Sequence, residues 1–242
     1  MNIFLAELIG TMLLILLGNG AVANVLLVRS KGYHSGWIVI TAGWGFAVAI
    51  AVYTTGWISG GHINPAVTLG LTLAGKSPVA LMPIYIIAQF LGAVLGAVLV
   101  YLCYQPHWKM TLEPHPKLLC FATAPAIRRP FWNFITEVIG TAVLLMGILG
   151  IFNVHNGISS GMEPYAVGIL IFSIGLSLGG PTGYAINPAR DLGPRLAHFM
   201  LPIPGKGSSD WKYAWVPVLG PLVGAVVGVF LYQQFVSKLL AL

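Results

Sequence analysis

Six long apolar segments set the strongest constraint on the fold of this chain. Most of them contain the roughly 20 residues that a helix needs to cross about 30 Å of hydrocarbon. Backbone amides and carbonyls find no water inside a bilayer, so a crossing segment must pair them internally, as a helix does. We therefore predict six transmembrane helices, over residues 3–28, 36–56, 79–104, 131–152, 162–178 and 213–236.

The composition points the same way. Of the 242 residues, 57% are hydrophobic and only 7% are charged, whereas a soluble domain carries roughly 25% charged residues. The formal net charge is +6, but the lysines and arginines are scattered through short loops and form no stripe that would follow a nucleic-acid backbone. The two cysteines, Cys103 and Cys120, are expected to be free thiols and indicate no metal site.

Two further apolar segments, over residues 65–74 and 188–200, are too short to cross the bilayer. At about 1.5 Å per residue, the first reaches only about 15 Å. Short segments interrupted by Gly or Pro at matching places in two halves of a membrane protein are typical of half-helices beside a central site. We therefore predict that both are re-entrant half-helices in an all-α membrane protein.

The two halves of the chain also repeat each other. The sequence AELIGT at residues 6–11 matches TEVIGT at 136–141, and the eight residues at 59–66 match those at 182–189. Each half contains three predicted spans and one half-helix. Because three is odd, the second half is expected to be inverted in the membrane, so that the two half-helices enter from opposite faces and meet near the midplane.

This inverted repeat sets the predicted domain organisation. We expect a single domain over residues 1–242, with a first repeat at 1–105, a second at 131–242 and a connecting loop at 106–130.

Both half-helices begin with the same motif, Asn64-Pro65-Ala66 and Asn187-Pro188-Ala189. The Asn side-chain oxygen is a good acceptor for a backbone N–H of the first turn, and Pro at the first helical position loses no hydrogen bond. The Asn NH2 group then remains free to donate. Two tips that meet would bring two such donors and two positive helix-dipole ends together. This arrangement would bind the oxygen of a passing solute, interrupt a proton wire and repel cations.

The residues before each motif are expected to be non-helical. Such backbone is tolerated at membrane depth only where it is buried in protein or lines a water-filled cavity. We predict a ladder of carbonyl acceptors opposite an apolar wall, which would suit solutes with hydroxyl groups along one edge and CH groups along the other. The residues of this ladder are Gly60, Gly61, His62, Gly183 and Ala185.

Four ionisable residues are predicted at membrane depth, where a charge is a functional candidate by default. Arg190 follows the second motif directly, and its guanidinium would face the pore and exclude cations. Glu7 and Glu137 occupy equivalent positions in the two repeats and are expected to accept hydrogen bonds from the backbone near each half-helix. Asp191 is expected to accept amides of the first helical turn and to offset the helix dipole.

Together, these motifs closely resemble the major intrinsic protein family, the aquaporins and glycerol facilitators, over nearly the whole chain. The sequence at residues 187–195 resembles the glycerol-conducting branch of this family, in which an Asp follows the Arg, as Asp191 follows Arg190 here. The resemblance implies a selectivity filter formed by Trp44, Gly175, Tyr184 and Arg190. In this filter the glycine would widen the opening, and the two aromatic rings would contact the carbon atoms of a polyol.

The resemblance also implies a homotetramer with both termini in the cytoplasm. From the short termini and the absence of a targeting segment we expect the cell membrane of a bacterium. The expected partners are glycerol, water, other small neutral solutes and the lipid bilayer, without nucleic acid, metal or cofactor.

The leading hypothesis is a passive channel for glycerol and water, and several alternatives remain open. A water-selective aquaporin is one, because the hydroxyl of Tyr184 would narrow and polarise the filter. A coupled secondary transporter with inverted repeats is another, with Glu7 and Glu137 as its coupling groups. A membrane protein with a closed pore is a third. An enzyme is the least favoured, since no nucleophile–base pair is apparent at membrane depth.

Overall fold

The computed structural model describes residues 2–158, 161–236 and 238, and within them every regular element is helical. The helices are α1 (Asn2–Leu26), α2 (Trp37–Ser59), α3 (Pro65–Leu73), α4 (Met82–Cys103), α5 (Gln105–Met110), α6 (Pro114–Leu119), α7 (Pro130–Ile151), α8 (Glu163–Leu178), α9 (Pro188–Met200) and α10 (Val216–Leu231). Short 3-10 turns lie at Val79–Leu81 and Val154–Asn156, and a π-helical turn at Tyr232–Val236 extends α10.

The predicted all-α architecture is confirmed, with six long helices and two half-helices. In the described part of the chain, five helices are long and apolar enough to cross a membrane, namely α1, α2, α4 with its preceding turn, α7, and α10 with the turn that follows it. The remaining one, α8, is apolar but has 16 residues.

The segment at 106–130 was expected to be a loop, but it contains α5 and α6. Each of these short helices has a proline in its first turn, where the missing N–H costs nothing. Trp108 and Phe121 of this segment are fully buried. Six-residue helices give too little periodicity to be predicted beside membrane-length spans.

The two halves of the chain pack in matching ways. In the first half α1 packs on α4 and α2, and in the second half α7 packs on α10 and α8. The half-helices cross between the halves, because α3 contacts α10 and α9 contacts α4. The central pair α2 and α8 joins the halves along a further interface.

Close helix pairs depend on glycines that face the neighbouring backbone. A Cβ atom at Gly224 of α10 would lie 2.5 Å from the carbonyl oxygen of Val138 and 2.7 Å from Cβ of Thr141, both on α7. A Cβ at Gly96 of α4 would lie 2.5 Å from the carbonyl oxygen of Met12 on α1. Small residues at such positions let membrane helices approach each other closely.

Large apolar side chains cover the outside of the helix bundle. Phe46, Ile87 and Phe230 are each more than half exposed in the isolated chain, at 62%, 55% and 58%. A soluble monomer seldom exposes so many apolar groups. Together with the spanning helices, this surface indicates a multi-pass membrane protein whose outer face contacts lipid or other apolar surfaces.

We predict that Gly224→Ala destabilises the protein by about 1–3 kcal/mol, because the added methyl group overpacks the contact between α10 and α7. Thermal unfolding of the purified protein in detergent would measure the effect. Gly150→Ala on α7 is the matched control, since its Cβ would meet only Tyr232, at 4.0 Å. Equal unfolding temperatures for the two variants would contradict the prediction.

Candidate functional site

Asn64 and Asn187 cap the two half-helices in the same way. Oδ1 of Asn64 accepts a hydrogen bond from N of Ala66 at 2.8 Å. Oδ1 of Asn187 accepts from N of Ala189 at 3.0 Å and from N of Arg190 at 3.1 Å. In both half-helices proline is the first helical residue. Each motif therefore starts a helix whose free N–H groups point towards the other half.

The two helix tips meet through reciprocal hydrogen bonds. Nδ2 of Asn64 donates to the carbonyl of Ile186 at 2.8 Å, and Nδ2 of Asn187 donates to the carbonyl of Ile63 at 2.9 Å. The sequence analysis left both NH2 groups free to donate. In the structure one N–H of each group holds the opposite loop, which leaves one N–H of each for a solute.

The residue before each asparagine has an unusual backbone conformation. Ile63 and Ile186 have φ values of 45° and 43°, in a left-handed region that β-branched residues rarely adopt. In this conformation the carbonyl group of each isoleucine points to the asparagine of the opposite half-helix. The N–H group of each isoleucine points into the protein. Strain of this kind persists only where the surrounding structure holds it.

Two buried carboxylates hold these strained residues. Oε2 of Glu7 accepts from N of Ile63 at 2.7 Å, and Oε2 of Glu137 accepts from N of Ile186 at 2.8 Å. Their second oxygens accept from the preceding residue, His62 in the first half and Ala185 in the second. Both carboxylates are almost fully buried.

Glu7 has two further donors that the sequence analysis did not identify. Oγ of Ser59 donates to it at 2.6 Å, and Nε2 of Gln89 donates to it at 2.8 Å. Nε2 of Gln89 also lies 3.0 Å from Oγ1 of Thr68, which in turn contacts Nδ1 of His62. Gln89 is a polar residue inside an apolar span, and that was the available signal for it.

A cavity of about 370 Å³ runs past the helix tips. Asn64, Asn187 and Arg190 line the cavity. Its apolar wall includes Val48, Val52, Leu144 and Ile171. Of the predicted carbonyl residues, Gly60, Gly61, His62 and Ala185 line it. Gly183 is not among its lining residues, whereas Ile63, Tyr184 and Ile186 of the same loops are.

Three of the four predicted filter residues meet at this cavity. The guanidinium carbon of Arg190 lies 4.0 Å from the ring centroid of Trp44, within the range of a cation–π interaction. Tyr184 lines the cavity beside them. Nη1 of Arg190 and the hydroxyl of Tyr184 have no hydrogen-bond partner among the described protein atoms. Buried polar groups are nearly always paired, so these two call for an explanation.

The fourth predicted filter residue, Gly175, lies behind the Tyr184 ring. It does not line the cavity, because the Tyr184 ring occupies the space that the glycine opens. A Cβ at Gly175 would lie 2.7 Å from Cζ and 2.8 Å from the hydroxyl oxygen of Tyr184. Nε1 of Trp37 donates to the carbonyl of Gly175 at 2.9 Å. The Trp37 ring packs edge to face against the Tyr184 ring, with 5.9 Å between the ring centroids. The absence of a side chain at Gly175 therefore makes room for the Tyr184 ring and does not widen the cavity.

Asp191 has a different contact from the one expected. Its Oδ2 accepts from N and Oγ1 of Thr123, at 2.7 and 2.6 Å, and its Oδ1 accepts from Nε of Arg195 at 2.8 Å. Nη1 of Arg195 donates to the carbonyl of Ser209, and Nη2 donates to that of Thr123. The pair thus ties the second half-helix to the segment at 106–130, instead of capping the first turn.

The sequence analysis gave no role to Arg195. It is fully buried, and its position four residues after Asp191 on one helix was a usable signal for an ion pair. Its carbonyl acceptors lie in distant loops, so nothing in the sequence spacing could identify them.

Comparisons with known proteins agree with this architecture. The family model described as Major intrinsic protein matches residues 1–232. The chain is 61% identical to the "Probable glycerol uptake facilitator protein" of Thermotoga maritima, over 96% of this chain and 99% of that one. It is 56% identical to the "Glycerol uptake facilitator protein" of Bacillus subtilis, over 96% and 84% of the two chains.

A solved structure has the same fold. The structure is that of the aquaglyceroporin from Plasmodium falciparum, which superposes with a TM-score of 0.88 at 31% identity and covers 99% of this chain and 98% of that one. The extent of the family match and the identity to full-length relatives leave one assignment. This chain belongs to the major intrinsic protein family.

Proposed function

We propose that this protein is a passive transmembrane channel for glycerol, water and other small neutral solutes. The observation that carries the proposal is the pair of unpaired donors beside an aromatic ring. The Tyr184 hydroxyl and Nη1 of Arg190 have no hydrogen-bond partner among the residues that the structure describes, and Trp44 and Tyr184 supply apolar ring surface at the same cavity. A polyol matches this surface, because its oxygens can accept from the donors while its carbons contact the rings.

The same cavity accounts for the exclusion of ions. A cation would approach the Arg190 guanidinium and the positive ends of two half-helices, and both repel it. An anion would have to give up its hydration between apolar walls such as Val48 and Leu144. A water molecule bound through its oxygen to Asn64 and Asn187 would point its hydrogens away from the tips, so protons could not pass along a continuous chain of waters.

The relatives support the choice of solute. The two bacterial relatives are named for glycerol uptake, and the similar solved structure is that of an aquaglyceroporin. These names favour a channel over an enzyme, and a glycerol channel over a water-selective one.

The contacts of the buried carboxylates speak against a coupled transporter. A coupling carboxylate must exchange its proton or ion during each cycle. Glu7 and Glu137 instead accept hydrogen bonds from the backbone that shapes the cavity. Release of these bonds would disturb the strained loops at each step.

We further propose that residues 1–242 act as one channel domain of two inverted repeats, assembled as a homotetramer in a bacterial cytoplasmic membrane. The exposed apolar surface of the single chain would be shared between lipid and neighbouring subunits. Both termini would face the cytoplasm; Met1 and residues 239–242 lie outside the described residues.

We expect proteoliposomes of the wild-type protein to pass both glycerol and water faster than empty liposomes, as measured by stopped-flow light scattering. The glycerol flux should stay the same when proton and sodium gradients are collapsed, because no step consumes a gradient. Water flux without glycerol flux would reject the proposed solute. Flux that depends on a gradient would indicate a transporter, and the absence of any flux would indicate a closed pore.

Tyr184→Phe is expected to raise the ratio of glycerol to water permeability by about 2- to 10-fold, the range that corresponds to one hydrogen bond of about 0.5–1.5 kcal/mol. In the proposed filter the hydroxyl would narrow the opening and offer a hydrogen bond to water, and phenylalanine would keep the ring without it. Tyr213→Phe is the matched control, since the Tyr213 hydroxyl is also buried without a partner but lies away from the cavity. A similar change of the ratio in both variants would reject the role of the Tyr184 hydroxyl.

A further inference from the structure

The position of the Trp44 ring is set by a contact on α1. The backbone at Gly18 lies against the six-membered ring of Trp44. A Cβ at this residue would overlap Cε3 and Cζ3 of the indole and would lie 2.6 Å from Cδ2. The same ring contacts the guanidinium of Arg190. We infer that Gly18 is a positioning residue of the selectivity filter, because only a residue without a side chain lets Trp44 stand clear of the passage.

The second repeat gives an independent indication. Glu7 and Glu137 are 130 residues apart and Asn64 and Asn187 are 123 apart, so the counterparts of Gly18 and Trp44 are Ile148 and Val167. Both counterparts line the cavity. One repeat thus combines the smallest residue with the largest, and the other combines two of intermediate size. Position 18 therefore carries no side chain in the repeat where its neighbour is an indole.

The first half of α1 is packed closely against α4. On α4, a Cβ at Gly92 would overlap the carbonyl of Leu8, and one at Gly96 would lie 2.5 Å from that of Met12. These contacts fix α1 against α4 along its first half. This packing opposes a shift of α1, so we expect an added methyl group at position 18 to displace the Trp44 ring, by roughly 1 Å if carbons are to regain a separation of about 3.5–4.0 Å.

Displacement of the ring changes the filter and leaves the helix tips as they are. The indole would move relative to Arg190 and Tyr184, and the passage beside them would narrow. Glycerol fills more of such a passage than water does, so its flux should suffer more. This inference rests on the proposed function, since it assumes that glycerol passes the filter.

The test compares Gly18→Ala with Gly20→Ala on the same helix, where an added Cβ would meet nothing within 4 Å. Stopped-flow permeabilities to glycerol and water are measured at equal protein content in liposomes. We expect Gly18→Ala to lower the ratio of glycerol to water permeability about tenfold, a barrier change of about 1.4 kcal/mol. Gly20→Ala should keep the wild-type ratio.

Trp44→Phe makes the test specific for ring position. We expect Gly18→Ala to lower the ratio of glycerol to water permeability much less in the Trp44→Phe background than in the wild type, because the smaller ring leaves room for the methyl group. Such coupling between two substitutions is the measure of direct contact. If Gly18→Ala alone cannot be recovered but the double variant can, the relief of the same collision supports the inference.

Two results would overturn it. One is an equal loss of water and glycerol permeability in Gly18→Ala. The other is an equal change of the permeability ratio by this substitution in the wild type and in Trp44→Phe. Failure of both Gly18→Ala and the double variant with Trp44→Phe to fold would also reject the inference. A wild-type protein that passes no glycerol would reject the proposed function instead, and that result is read from a separate sample.

Discussion

The reciprocal hydrogen bonds between the half-helix tips are the constraint on which the rest of the site depends. Each asparagine caps its own helix through Oδ1 and holds the opposite loop through Nδ2. The carbonyls it reaches belong to Ile63 and Ile186, whose left-handed backbone costs of order 1–3 kcal/mol each. Glu7 and Glu137 make this conformation possible, because their oxygens accept the N–H groups that the same turn directs into the protein. Removal of any one partner would leave a buried polar group unpaired on the other side.

Two arginines on one half-helix show how the protein separates structure from function. Arg195 pairs with Asp191 and donates to backbone carbonyls, so its charge and its donors are satisfied within the protein. Arg190, five residues earlier, stacks on Trp44 and has Nη1 without a partner in the described part of the chain. A buried charge is tolerated when it is paired or when water or solute can reach it. Arg195 meets the first condition. Arg190 lines the cavity, where the proposed channel would bring water or solute to it.

The sequence predicts the architecture well because membrane physics leaves few choices. Span length, the inverted repeat and the paired Asn-Pro-Ala motifs are local signals, and the helices that follow from them agree with the structure within a few residues. The contacts of the filter are less accessible. The packing of Tyr184 on Gly175 and the hydrogen bonds from Thr123 to Asp191 join segments that are distant in sequence. Their geometry depends on how the helices pack, which periodicity does not report. Arg195 and Gln89 were detectable as polar groups at membrane depth, but their partners were not.

Helix packing and solute selection are in this protein parts of one problem. The glycines at positions 92 and 96 bring α4 against α1, and α1 also packs on α2. Gly18 then determines where the Trp44 ring lies, and Gly175 determines where the Tyr184 ring lies. The two aromatic rings at the cavity are thus placed by glycines behind them. In the proposed channel a single methyl group behind a ring would change the width of the filter, and the Asn-Pro-Ala tips and Arg190 would stay as they are.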